Sequence, residues 1–493
     1  MKKSYFQLLL WVLLTPAVFA QQPADSVLRL TLGQAVEIAR RQSPDVLYAR
    51  HSFRSSYWNY CYYKANYLPS LTFSSTPNFN HAINAITLPD GTSQYIQQNQ
   101  LNTNATFSIT QNVALTGGSF FVQTSLQRLD ELTQNTYSYK STPVVIGYQQ
   151  SLLGYNSLKW DNKTEPLQFE TAKKTYAEAL ELVATNTAAK FFGLAKAQTD
   201  LEIAQTNYAN ADTLYIFAQG RYNIGTITEN EMLQLEINKL NEESNRLNAQ
   251  LSVDDCMEAL RAYLGIKNAL PITVIVENDI PLGNVNLAEA MQYTMENSPD
   301  ILSMKLQKLN SDSQVANAKA STGLKADLYM QLGLAQTGVN LENAYREPLN
   351  QQYVEVGFRL PILDWGRGKG QVQVAKSRRD MVYAQVEQSQ NNLEMNITKI
   401  VKQFNLQSNQ LIVAVKAAYT AERRNEVARK LYLLGKSTIL DLNASITEKD
   451  TAKRNYINTL YNYWSLYFTL RSITLFDFEK NIPITEDYKL LMK

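Results

Sequence analysis

The chain repeats itself, and the repeat leaves few folds open. Residues 31–47, TLGQAVEIARRQSPDVL, align with 286–302, NLAEAMQYTMENSPDIL, at an offset of 255 residues. Leu32/Leu287, Ala35/Ala290 and the run Ser43-Pro44-Asp45 against Ser298-Pro299-Asp300 coincide. Further along, Tyr222-Asn-Ile-Gly225 matches Tyr432-Leu-Leu-Gly435 at an offset of 210, and Thr228/Thr438, Lys239/Lys449 and Leu260-Arg261/Leu470-Arg471 keep that spacing. The offset drops by 45, so the first copy carries an insertion of about that size. It falls between roughly 70 and 145, because Leu153/Leu363 already obeys the shorter offset.

Each copy reads as helix, strands and helical hairpin. The opening helices, about 32–67 and 287–322, are broken at Ser-Pro-Asp, where Pro44 and Pro299 suit the first turn of a new helix. Strands follow. Over 324–334, Leu324, Ala326, Leu328, Met330 and Leu332 alternate with polar residues, and over 352–362 Val354, Val356, Phe358, Leu360 and Ile362 do the same. Alternation over about ten residues suits an outer-membrane strand, lipid-facing and lumen-facing by turns; it suits a half-exposed strand of a soluble sheet equally well. The first copy has four such runs, 71–79, 105–113, 119–127 and 143–150. Two of them make an extra hairpin, about 103–127, turning at Gly117-Gly118. The long segments 166–221, starting at Pro166, and 371–431, after the Gly-rich turn Trp365–Gly370, are dense in strong helix formers. Each reaches a glycine, Gly225 or Gly435, and returns as a helix over 228–264 or 438–472. The first long segment, 56 residues, spans ~84 Å at about 1.5 Å per residue. Its apolar positions (Phe191, Leu194, Leu201, Ala204, Tyr208, Ala211) recur at three and four, a coiled-coil spacing that implies lateral partners.

Residues 1–20 have the form of a secretory signal peptide: Lys2 and Lys3, an apolar run Leu8–Leu14, and Val18-Phe19-Ala20 before Gln21. Beyond it no stretch approaches a spanning helix, so residence in a membrane requires a closed β-barrel. The whole chain has 47 basic and 45 acidic residues, and loss of Lys2 and Lys3 leaves it balanced. That balance argues against nucleic acid as a partner. Two His and two Cys, far apart in sequence, make a metal site improbable, and His51 and His81 lack the neighbours of a nucleophile system. No cofactor and no catalysis are expected. Cys61 and Cys256 are expected to stay unpaired, since the long-hairpin geometry sets them ~25–30 Å apart along the axis. The aromatic run Tyr57, Trp58, Tyr60, Tyr62, Tyr63, Tyr67 reads as packing or as an interfacial girdle. Four segments result: 1–20 signal peptide, 21–280 first repeat, 281–480 second repeat and 481–493 tail.

The paired openings, paired strands and paired tips of form Tyr-x-x-Gly-x-x-x-x-x-acid resemble the TolC-like outer-membrane efflux family over about 28–478. The resemblance implies an α+β membrane protein: a homotrimeric β-barrel in the outer membrane carrying a long periplasmic α-helical barrel, built from two internal repeats. It implies a passive conduit of a tripartite export system, with a periplasmic adaptor and an inner-membrane pump as partners. In that family an acidic residue six positions beyond the tip glycine closes the periplasmic mouth. Here the positions hold Glu231 and Asp441, with Tyr432 matching a mouth-closing tyrosine. Gly225, Thr226, Gly435 and Lys436 fall at the adaptor-docking tips. Two departures stand out: Ala444 replaces a second acid, and Ser437 replaces an arginine. Type I protein secretion on the same fold, or a periplasmic coiled-coil scaffold without a barrel, are the alternatives.

Overall fold

The structure, a computed structural model, describes residues 27–268, 270–277, 283–434, 436–437 and 439–492. The expected signal peptide lies outside the described residues. In chain order the elements are β1 (Leu28–Leu30), α1 (Leu32–Gln42), α2 (Pro44–Ala65), β2 (Ser70–Thr87), β3 (Ser93–Val113), β4 (Gly118–Glu131), β5 (Thr136–Ser151), α3 (Ser157–Asn223), α4 (Glu229–Leu264) and β6 (Ile272–Val274). They continue as α5 (Leu287–Asn297), α6 (Pro299–Thr322), β7 (Lys325–Gly338), α7 (Leu341–Tyr345), β8 (Leu349–Arg359), α8 (Arg367–Leu433) and α9 (Ile439–Thr474). Short pieces close the chain: β9 (Phe476–Asp477), β10 (Ile482–Pro483) and α10 (Tyr488–Leu491). Lengths match pairwise: α3 and α8 have 67 residues each, and α4 and α9 have 36 each.

The chain divides into two compact units, each drawn from three separated stretches. One comprises the segment ending at Val46, Val183–Pro281 and Gln407–Ser465; the other comprises Leu47–Leu182, Leu282–Leu406 and Leu466–Lys493.

In the first unit β1 and β6 pair in parallel. Helix α3 is bound to α9 by polar contacts along its length: Arg454 to Asp200 at 2.6 Å, Lys453 to Glu202 at 2.8 Å, and the Asn207 amide donating to Asp450 at 3.0 Å. Lys239 of α4 pairs with Asp212 of α3 at 2.6 Å. Phe191, Leu194, Leu411 and Leu460 are wholly buried. One flank of α4 stays uncovered: Leu233, Ile237, Leu240, Leu247 and Leu251, between 44% and 60% exposed, recur at three and four or their sum.

The second unit holds one antiparallel sheet of six strands in the order β2-β3-β4-β5-β7-β8, with β2 and β8 as its edges. Its two faces differ in chemistry. On one face, Leu71 lies opposite Ile109, which lies opposite Val122, and Phe73 lies opposite Phe107. Ile146, Leu332, Val354 and Val356 continue this apolar face through β5, β7 and β8. The other face carries Thr72, Ser74, Asn78, Asn102, Asn104, Thr106 and Gln127. Pro143 interrupts β5: the register slips on both of its sides there, because proline has no N–H for the ladder and is housed in a bulge. Helix α7 covers that spot, with the Ser141 hydroxyl donating to the Ala344 carbonyl.

Helices in this unit gather around Phe169. Tyr60 stacks on it with ring centroids 4.5 Å apart, Phe53 and Tyr57 flank it, and Tyr176 and Tyr488 pack on Phe53. Tyr57 and Tyr60 of the aromatic run are therefore packing, while Trp58 and Tyr62 remain exposed.

Some boundaries depart from the sequence expectation. Helix α3 begins at Ser157, nine residues before Pro166, which sits inside it. The cause is Asn156, whose side-chain oxygen accepts from the Lys159 amide at 2.9 Å and caps the earlier turns. Helix α8 begins at Arg367, within the Gly-rich turn, because Asp364 accepts from the amides of Gly366 and Gly368 at 3.0 and 2.8 Å. Those bonds hold the Asp364 carboxyl below its usual range. Cys61 and Cys256 are both free.

Candidate functional site

The helical turn between α3 and α4 is built from hydrogen bonds that the sequence permits only with glycine at its apex. The Thr226 amide donates to the Arg221 carbonyl at 2.8 Å and the Gly225 amide to Tyr222 at 2.9 Å, the two bonds that close a helix in the left-handed C-terminal motif. Gly225 has φ +72°, a conformation that suits a residue without Cβ. The Thr226 hydroxyl also donates to the Arg221 carbonyl, at 2.8 Å.

Three residues on, the next helix starts with a reciprocal cap. The Thr228 hydroxyl accepts from the Glu231 amide at 3.3 Å, and the Glu231 carboxylate accepts from the Thr228 amide at 2.9 Å. Glu231 is exposed, and the Thr228 amide bond is the main reason that its carboxyl lies below the usual range.

The turn between α8 and α9 repeats the arrangement at the described residues. The Lys436 amide donates to the Leu431 carbonyl at 2.9 Å, the counterpart of Thr226 to Arg221. Gly435 lies outside the described residues, as does the side chain of Tyr432, whose backbone lies in the last turn of α8. Asp441 is exposed and is the third residue of α9, the position that Glu231 holds in α4. The hydroxyl of Ser437, which stands where the resembled family has an arginine, lies 3.4 Å from the Asp441 carboxylate and donates to it. Both acids therefore sit one turn into a helix, where the N-terminal end of the helix dipole favours a negative charge.

Sequence reading missed a second cluster. Arg471 forms a two-pronged bond to Glu181, at 2.9 and 3.1 Å, and reaches Asp477 at 2.5 Å and the Tyr467 hydroxyl at 3.2 Å. Glu181 and Asp477 are buried. Burial alone would lower the Arg471 pKa, but the Glu181 bonds and charge raise it. The signal available was the Leu260-Arg261/Leu470-Arg471 match, although Arg261 bonds differently, to the Leu270 carbonyl at 2.8 Å and to Glu258. Among the described residues, no group of three or more His, Cys, Asp and Glu could hold a metal ion, and no helix is long and apolar enough to cross a membrane.

The family model described as outer membrane efflux protein matches residues 35–266 and 290–474. No curated protein matches the chain. Among solved structures, the CmeC outer membrane channel of Campylobacter jejuni is 17% identical with a TM-score of 0.64, covering 93% of this chain and 88% of that one. The outer membrane protein VceC of Vibrio cholerae is 15% identical with a TM-score of 0.62, covering 90% and 95%. CusC, described for conformational changes accompanying transmembrane channel formation, is 15% identical with a TM-score of 0.62, covering 90% and 91%. At such identities these likenesses show the fold.

Proposed function

The chain belongs to the outer membrane efflux protein family, and from that premise we propose that it is the exit channel of a tripartite export system, a passive homotrimeric conduit with no catalytic step. The observation that carries this reading is the six-stranded sheet. One face is mainly apolar and the other mainly polar, with Ser, Thr, Asn and Gln along β2 and β3 and charged Asp327 and Glu355 on β7 and β8, the division expected of a wall between lipid and water. Its two edge strands, β2 and β8, are each paired on one side only, and unpaired backbone groups are not tolerated in hydrocarbon, so neighbouring copies complete it. The uncovered stripe of α4 asks for the same neighbours in the helical part.

In this reading the two internal repeats supply equivalent helical hairpins to a periplasmic tunnel. Asp441, Glu231 and Tyr432 form the periplasmic gate, and Gly225, Thr226, Gly435 and Lys436 form the tips that meet a periplasmic adaptor of an inner-membrane pump. Three Asp441 carboxylates around one axis attract cations. The polar face, with hydrogen-bonding groups and the charged Lys140, Asp327 and Glu355, argues for water-soluble cargo. Protein secretion by the type I route remains the second reading on the same fold.

Planar-bilayer recording tests the proposal. The purified, detergent-solubilised protein should form cation-preferring pores, and Asp441→Asn should lower the cation preference and raise the open fraction. Unchanged selectivity and gating would remove Asp441 from the mouth. A soluble protein that forms no pore would leave the scaffold reading.

A further inference from the structure

We propose that the inserted hairpin β3–β4 is part of the membrane wall, so that three copies close an 18-stranded outer-membrane barrel, half as wide again as the 12-stranded one the duplicated strands alone would make. The inference rests on the homotrimer of the preceding section and goes beyond it.

The insertion can be located strand by strand. Shifting β7 back by 255 residues lands on 70–83, within β2; shifting β8 back by 210 lands on 139–149, within β5. The duplicated pair in the first repeat is therefore β2 and β5, and β3–β4 is what was added between them. In the sheet β3 and β4 separate β2 from β5, with β3 in continuous register with β2 and with β4, and β4 paired to β5 on both sides of the Pro143 bulge, rather than lying over a face or at a rim.

The added strands obey the chemistry of the wall. Along β3, Leu101, Ala105, Phe107 and Ile109 fall on the apolar face, and Asn102, Asn104, Thr106 and Ser108 on the polar one. Their turn is fastened at the helical end of the sheet. The Asn112 amide donates to the Asn66 carbonyl at 2.9 Å, just after α2. Asn156, the cap of α3, donates to Ala114 at 3.2 Å, and Gln150 to Thr116 at 2.7 Å. Both strands thus run the height of the band.

The register also carries the stagger that closure demands. A perpendicular row across the sheet passes through Ser70, Thr110, Phe121, Gly147, Gln331 and Tyr353. Ser70 is the first residue of β2, whereas β8 continues six residues past Tyr353 to Arg359. The helical end thus slides ~20 Å along the strands while the sheet advances ~24 Å sideways, a tilt of ~40°, within the range of closed barrels. Edge strands β2 and β8 run in opposite directions, so β8 of one copy pairs antiparallel with β2 of the next. With ~4.8 Å between strands and a tilt of ~40°, 18 strands give a backbone diameter of ~36 Å, against ~24 Å for 12. An opening of that size, lined by polar and charged side chains such as Asn104, Gln127, Lys140, Asp327 and Glu355, sets no close size limit at the outer membrane, and selection falls to the helical mouth.

Two measurements on the detergent-solubilised full chain, with Cys61→Ala and Cys256→Ala as background, separate this inference from the reading beneath it. Spin labels at Thr106, Phe107 and Ser108 in lipid vesicles should alternate, with Phe107 favouring oxygen and its two neighbours favouring a water-soluble quencher. Phe107 on the water side, or all three equally wetted, would place the hairpin outside the wall and overturn the proposal. The closure is read by Val356→Cys combined with Phe73→Cys or Ser75→Cys, the pairs that share the apolar face. Oxidation should link chains into covalent trimers. Crosslinked trimers without alternation at 106–108 defeat the 18-stranded wall alone. Absence of trimers with every pair defeats the homotrimer as well. Cryo-electron microscopy should count 18 strands, and a count of 12 would overturn the proposal.

Discussion

Thr228 and Glu231 show how one acidic side chain can serve two ends. The Glu231 carboxylate already completes a cap, so loss of its charge and loss of its bond must be separated. Thr228→Ala removes the cap and should cost about 1 kcal/mol of stability. Glu231→Gln keeps a bonding side chain at the same position and should leave thermal stability within a degree or two while still altering any charge at the mouth. The lowered Glu231 pKa stabilises the fold above its unfolded value, a contribution lost as pH falls through the folded one. Deeper in the chain the ledger is larger. Arg471 neutralises buried Glu181 and Asp477. Arg471→Met leaves two carboxylates without a counter-charge and should cost roughly 3–5 kcal/mol, read as a fall in melting temperature. Glu178 works the opposite way: burial first, then the Asp300 charge, raise its pKa to about 7. A raised acid pKa means the folded state holds its proton longer, so stability falls as pH climbs from about 4.5 toward 7. Glu178→Gln should raise the melting temperature at pH 8 and leave it unchanged at pH 4; equal shifts at both would refute the assignment.

At the scale of elements, the chain is legible where the pattern is local and long. The tight turns at Gly225, the breaks at Ser-Pro-Asp and the returning helices α4 and α9 follow from glycine, proline and heptad spacing, and the structure places them within two residues of expectation. Strand ends are another matter. β2 and β3 run to Thr87 and Ser93, well past the apolar alternation, because pairing between them continues where Asn, Gln and Ala have replaced Phe and Leu. Pro143 reads as a strand boundary yet lies inside β5, where a bulge absorbs its missing donor. Pro166 reads as a helix start, but the true cap is Asn156, ten residues earlier. A side chain that caps one helix and also bonds the Ala114 carbonyl depends on a partner 42 residues away, which no local pattern reveals. Asn156→Ala should speed amide exchange over 157–165 and leave exchange after Pro166 unchanged. Uniform protection in the variant would show that the turns ahead of Pro166 do not depend on this cap. The Arg471 cluster is illegible for the same reason, since Glu181 lies 290 residues away in sequence.

For the whole molecule, the decisive quantity is apolar surface that one chain leaves uncovered. Leu233, Ile237, Leu240, Leu247 and Leu251 form a stripe along α4 of ~27 Å from first to last at 1.5 Å per residue. The opposite flank of the same hairpin is satisfied, because α3 is held to α9 by Arg454–Asp200, Lys453–Glu202 and Asn207–Asp450. A stripe so spaced is the seam of a coiled coil lacking its second helix, and at about 25 cal/mol per Å² its burial is a strong drive to associate. In the proposed trimer the neighbouring copy's helix α8 is the natural cover, with Ile412, Val413 and Tyr419 exposed on it. Charge placed in the seam should then act on assembly rather than on folding. Leu240→Glu combined with Leu247→Glu removes two apolar contacts from the seam and buries two carboxylates at each of three interfaces. Helical content should stay at the level of the parent chain, since glutamate is a good helix former, while light scattering in detergent should show monomers in place of trimers. If the double variant stays trimeric with undiminished stability, the α4 stripe faces something other than a second copy, and the helical tunnel closes along a different seam.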